Sequence, residues 1–180
     1  EPNFDAGATV EDAFVEIVRA CLVQVVANKP AMTVGKAVEG LHQMRVGLRR
    51  LRSGLEAFES AMGKKTTKSL EKEAKLMARI LGRARDHDVF LAELLKPVEK
   101  AYPHDARLRA FRAATEGRRE ACWQEVTNLL ASSRFARFVL AAEELIDERP
   151  WRDGTEAGSH PVFDAPISPH AAQELEKLYL

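Results

Sequence analysis

The 180-residue sequence predicts an all-α protein, an antiparallel helical bundle. Three observations predict it. Apolar residues recur three and four positions apart through most of the chain, the spacing of a buried helix stripe. No stretch alternates apolar and polar residues as a half-buried strand would. Helix start and stop residues punctuate the periodic stretches at helical lengths.

The first helix is expected over about residues 9–28. Thr9 and Asp12 have the spacing of a helix-start box. Phe14, Ile17, Cys21 and Val25 make its apolar stripe, and Asn28-Lys29-Pro30 ends it. The second covers about 34–61, with Gly63 as its stop. The third runs over about 66–96, with Pro97 near its end. Pro103 is expected to open a fourth helix reaching about 130, where Phe111, Ala114, Val126 and Leu129 recur on one side. Residues 132–147 make a fifth, with Phe135, Val139 and Leu145 in it. Pro150, Gly154, Gly158, Pro161 and Pro166 then break every helical pattern, so 148–167 reads as a linker or an exposed loop. Ser168-Pro169 signals a further helix start. Three parts follow: a helical bundle at 8–147, a Pro/Gly-rich linker at 148–167, and the start of another helical half at 168–180.

The formal net charge is zero, but the charge is polarised. Residues 1–41 carry net −3, residues 42–85 net +8, residues 86–137 net +1 and residues 138–180 net −6. Such asymmetry speaks about partners, not fold. No apolar run reaches the roughly 18 residues that span a bilayer, so no membrane role is expected. The two cysteines, Cys21 and Cys122, make neither a disulfide framework nor a metal spacing and read as reduced core thiols. No Gly-rich phosphate loop, nucleophile pair or metal motif is present, and no cofactor or catalytic residue is assigned.

The second helix carries the most informative pattern. At about 100° per residue, His42, Arg45, Arg49 and Arg52 fall within about 80° of one another. They form a narrow basic stripe. Met44, Leu48, Leu51, Leu55 and Phe58 form a separate apolar stripe, and Gly40, Gly47 and Gly54 recur beside it. Each interior Gly costs roughly 1 kcal/mol against Ala. Three on one side predict a neighbouring helix at close approach. The third helix repeats the design, with Lys68, Lys72, Lys75, Arg79 and Arg83 opposite Leu70, Ala74, Met77, Leu81 and Ala84. If the two stripes face each other, their repulsion calls for an anionic guest. Arg supplies a planar fork for phosphate oxygens and Lys supplies charge. Arg50 lies off the stripe and reads as a surface or ion-paired residue.

The run HQMRVGLRRLR at 42–52 resembles the opening of the CHAD domain, the "conserved histidine α-helical domain". The family's LGxxRDxDV helix has its counterpart in LGRARDHDV at 81–89, and its Ser-x-Arg-aromatic element in SSRF at 132–135. The resemblance implies two related four-helix halves around a basic cavity, of which this chain holds the first. It implies an inorganic polyphosphate-binding module without catalysis of its own. The residues expected to bind are His42, Arg45, Arg49, Arg52, Lys72, Lys75, Arg79 and Arg83, with Arg134 reaching the basic face. Arg85, Asp86 and Asp88 are expected to be structural, the acids pairing with Arg83 or Arg85.

The resemblance also implies a cytoplasmic protein, at polyphosphate granules, linked to polyphosphate- or triphosphate-metabolising enzymes. Three alternatives stand beside it. The stripes suit a nucleic-acid backbone, although stacking aromatics are missing from them. His87-Asp88, with His42, is similar to the His-Asp pair of metal-dependent phosphohydrolases. A basic groove could also receive an acidic protein tail. The sequence stops within the apolar-patterned SPHAAQELEKLYL, so the chain is expected to be a fragment. A second copy, as a homodimer or a swapped dimer, is then expected to cover its open side.

Overall fold

The computed structural model describes residues 7–34, 36–62, 64–153 and 161–168. Its helices are α1 (Val10–Ala27), α2 (Lys29–Val34), α3 (Val38–Ala57), α4 (Glu59–Met62), α5 (Lys64–Val89), α6 (Lys96–Ala101), α7 (Ala106–Ala131) and α8 (Ser133–Glu148). A π-helical stretch, Phe90–Leu95, joins α5 to α6. The fold is all-α, and no strand pairs with another among the described residues. The expected stop at Gly63 and the expected helix after Ser168 lie outside these residues.

The capping signal at Thr9 acts as read. The Thr9 hydroxyl accepts from the Asp12 N–H at 3.1 Å, and the Thr9 N–H donates back to the Asp12 carboxylate at 3.0 Å. Ser132 caps α8 by accepting from the Phe135 N–H. Pro30 ends α1 but also opens α2, at a position where its missing N–H goes unused. Three boundaries differ from expectation. The expected second helix is divided: its first residue, Val34, belongs to α2, and it leaves helical geometry at Phe58 (φ −99°, ψ 3°). Phe58 turns there to meet Phe14, with ring centroids 5.2 Å apart. The third helix does not stop at Pro97. Proline cannot donate the next helical bond and crowds the carbonyl four residues back. The wider π turn before it absorbs the mismatch, with the Lys96 N–H reaching back five residues to Leu91. The fourth helix starts at Ala106 rather than Pro103, because Asp105 accepts from the Arg107 N–H at 2.7 Å and caps it.

α3 packs between α1 and α5, and α5 continues the layer to α7, with α8 across α1 and α5. Phe14, Leu41, Met44, Leu48, Leu51, Leu55, Met77, Leu81, Trp123 and Leu130 are fully buried between these helices. Burying each such side chain stabilises the fold by about 1.5–3 kcal/mol. The three-glycine row of α3 faces α1 and α2. A Cβ on Gly47 would lie 2.9 Å from Val25 Cγ2 and 3.3 Å from the Cys21 carbonyl, and one on Gly54 would lie 3.0 Å from Ile17. Close approach of α1 is therefore what the glycines permit. Cys21 and Cys122 are free thiols, and burial pushes Cys21 up to about 11.

In the stretch expected as a linker, the described residues lie against α1. Trp151 and Phe163 are buried and stack at 5.2 Å, and both meet Phe14. The Val10 and Glu11 N–H groups donate to the Ala165 and Phe163 carbonyls. Glu11 is the hub. One of its oxygens accepts from Trp151 Nε1 at 2.8 Å and Arg152 Nε at 2.6 Å; the other accepts from Arg149 at 2.8 Å and Arg152 at 2.9 Å. Burial alone raises the Glu11 pKa. The bonds from Arg152 and Trp151 and the charges of Arg149 and Arg152 outweigh it and hold the carboxyl below its ordinary value. Apolar residues hidden among prolines and glycines thus fold back onto the bundle.

Candidate functional site

Repulsion makes a dense row of like charges costly unless something offsets it. Several cations of this chain sit on carboxylates. Arg119 holds Asp88, Arg112 holds Glu99, Lys36 holds Glu120, and Arg149 and Arg152 hold Glu11. Others make no ion pair among the described residues, Lys96 and Lys100 on α6 and Arg109 and Arg118 on α7 included. Among the described residues, His42, Arg45, Arg49, Arg52, Lys72, Lys75 and Arg79 make no ion pair. Arg49, Lys72, Lys75 and Arg79 are exposed, while His42, Arg45 and Arg52 are half-buried. The Arg52 Nε is buried with no hydrogen-bond partner.

One contact fixes how the two stripes stand to each other. The Arg45 guanidinium lies against Gly82 of α5, where a Cβ would fall inside van der Waals contact with Arg45 Nη1 and 3.6 Å from its Cζ. Gly82 is on the flank of α5 next to Lys75 and Arg79, about 20° and about 60° around the helix from them. Arg45 is on the α3 flank opposite the glycines that meet α1. Arg45 therefore lies across the α3–α5 seam, and the cationic flank of each helix borders that seam. In the antiparallel register set by this contact, Arg49 comes level with Arg79 and Arg52 with Lys75.

Two of the expected binding residues already hold carboxylates. Arg83 faces α7 and pairs with Glu125. Arg134, on α8, grips Glu73 with two bonds of 2.6 and 2.9 Å, and this pairing draws the Glu73 pKa down. Both therefore have their charge already met. Arg50 is exposed and its nearest polar contact is Gln24, at 3.5 Å. The expected pairing of Asp88 with Arg83 or Arg85 is replaced by bonds from Arg119 and from Trp123 Nε1, the latter at 3.1 Å. Asp88 points to the core side of α5, where α7 lies, so its partners come from another helix. Its second oxygen is buried without a donor. Gly82 stands inside the LGRARDHDV run, but the run gave it no role, because a single glycine has no periodicity that tells what it faces.

Among the described residues, no three His, Cys, Asp or Glu side chains come together as a metal site. No described helix is long and apolar enough to cross a membrane.

The CHAD domain family model matches residues 16–179. The chain belongs to the CHAD family. A crystal structure of the CHAD domain from the plant Ricinus communis superposes with a TM-score of 0.80 at 28% identity, over 99% of this chain and 56% of that one. Two uncharacterized proteins of Mycobacterium tuberculosis, from strains CDC 1551 and H37Rv, are each 27% identical over 132 residues. That is 72% of this chain and 26% of theirs, so the chain spans about a quarter of the length of these curated relatives. In this CHAD domain the His-x-x-Arg-Val helix is α3 and the LGRARDHDV run closes α5, and the Arg45–Gly82 contact joins the two.

Proposed function

We propose that this CHAD domain is an inorganic polyphosphate-binding module with no catalysis of its own. The observation that carries the reading is the pair of cationic stripes on the neighbouring helices α3 and α5, with Arg45 lying across the seam between them. A polymer of phosphate presents charge and oxygen acceptors but no base edges, so guanidinium and ammonium groups suffice to hold it. His42, Arg45, Arg49 and Arg52 supply directional bonds, and Lys72, Lys75 and Arg79 supply field. Arg83 and Arg134 contribute by exchanging Glu125 and Glu73 for phosphate. The partners we propose are polyphosphate- or triphosphate-metabolising enzymes, in the cytoplasm and at polyphosphate granules, with a second copy of the chain able to face the same polymer.

Nucleic acid is the weaker reading. The one aromatic between residues 42 and 85 is Phe58, and it is buried against Phe14. No Phe, Tyr or Trp on this face offers a base a stacking platform. The test is a titration with polyphosphate at two ionic strengths, with DNA as competitor. Counterion release predicts a steep loss of affinity with salt. Equal dissociation constants at both salts, or displacement of polyphosphate by equimolar DNA phosphate, would overturn the reading. Arg45→Ala and Arg49→Ala are each expected to weaken binding by about 1.5–3 kcal/mol, the range for a charge-assisted bond. Arg50→Ala is expected to matter less.

A further inference from the structure

We infer that Gly82 is a positioning residue of the polyphosphate face: its missing side chain is the berth that holds the Arg45 guanidinium across the α3–α5 seam. The inference rests on the polyphosphate reading and assigns a specific device within it. The glycines of the chain separate by what a Cβ would meet. At Gly47 and Gly54 it would strike Val25, the Cys21 carbonyl or Ile17, parts of a helix that cannot step aside cheaply. At Gly117 it would meet nothing. At Gly82 it would meet Arg45 alone, through the far end of a flexible side chain. A methyl group there need not push α3 from α5. It need only push a guanidinium away.

The consequence falls on charge placement. Gly82 is buried, and the group over it is a cation with no carboxylate partner among the described residues. Lying on bare backbone, Arg45 sits low between Arg49 on its own helix and Arg79 on the next. One phosphate chain can then bond to α3 and α5 at once. With Arg45 lifted, the stripes become two separate rows, each able to hold a short anion but no longer joined. Gly82 touches no ligand in this account and acts only through Arg45.

The test compares wild type, Gly82→Ala, Arg45→Ala and the double variant, with polyphosphate of defined length titrated at low salt. Gly82→Ala is expected to keep its helicity and to melt no lower than wild type, since Ala favours the helix. It is expected to bind roughly tenfold more weakly, the scale of one charge-assisted bond. In the Arg45→Ala background the same substitution is expected to change affinity by less than about twofold, because the group it displaces is gone. Wild-type affinity in Gly82→Ala, or an equal loss in both backgrounds, overturns the inference. A nitrogen-15 spectrum of the arginine side chains reads the berth without ligand: the Arg45 Nε signal should shift in Gly82→Ala while that of Arg50 stays. If wild type binds no polyphosphate, the polyphosphate reading fails by itself. The Arg45 signal then decides the berth alone, and an unmoved signal removes it.

Discussion

The body formed by α1, α3 and α5 and the arm formed by α6 and the first half of α7 are built on opposite plans. In the body, apolar residues recur on one face and glycines let helices touch, so Phe14, Leu48, Leu51 and Leu81 lose all contact with water. From Ala92 to Ala121, in contrast, only Leu95 and Thr115 are buried. Leu94, Tyr102 and Phe111 stay 60%, 64% and 51% exposed. Among the contacts that secure the arm are the Phe90–Phe111 ring contact at 6.0 Å, the Arg112 pairs with Glu99 and Glu116 and, at its inner end, Arg119 on Asp88 and Glu120 on Lys36. Exposed ion pairs contribute little. The stripes ride on the rigid part, and a fixed row of cations needs such a base. Mobile lysines would lose entropy on binding, whereas side chains rooted in a packed helix pair are already placed.

The sharpest way to break this comparison is a matched pair of truncations. Leu48→Ala should cost about 2–5 kcal/mol in denaturant unfolding, while Leu94→Ala should stay within about 0.5 kcal/mol. Similar costs would mean that the arm is packed in solution.

The clasp on α1 comes next. Glu11→Ala should cost about 3 kcal/mol, because it strands cations around a buried position. The pH dependence has a definite sign. The folded pKa of Glu11 lies below its ordinary 4.5, so the contribution is fully present above that value and is lost as pH falls through the folded pKa. Wild type should therefore lose stability below about pH 4.5 more steeply than Glu11→Gln does. Parallel acid-unfolding curves would show that the clasp contributes nothing.

Gly47→Ala should show a smaller effect, about 1–2 kcal/mol of destabilisation, where overpacking against Val25 exceeds the helix-propensity gain. Gly82→Ala should go the other way, by up to about 1 kcal/mol. Calorimetric melts of both would separate a packing glycine from a berth. If both fall equally, the distinction drawn between the two helices is lost.

Smallest is the arm itself. Phe111→Ala should leave global stability within about 0.5 kcal/mol and speed amide exchange only near residues 90–111. Exchange that quickens in α3 as well would couple arm and body.

Much of this was legible before any coordinates. The cap at Thr9, the glycine row on α3 and the two basic stripes follow from spacing alone, because a helix turns its residues through a constant angle. The family resemblance was carried by two short runs on the same helices, and the family match supports it. Boundaries were less legible where a side chain's tertiary partner ruled. Phe58 leaves its helix to meet Phe14, and Asp105 out-competes Pro103 as a helix start.

By itself, then, the sequence determined the all-α class, the order of the long helices and which faces are apolar or cationic. These depend on periodicity and local hydrogen bonding, which act within a few residues. Only the tertiary structure decided who meets whom. Asp88 goes to Arg119 and Trp123, Arg134 to Glu73, and Glu11 to residues some 140 positions away. It likewise brought Trp151 and Phe163 back onto Phe14 and laid Arg45 on Gly82. Such pairings are set by how helices cross, a geometry in which sequence separation plays no part.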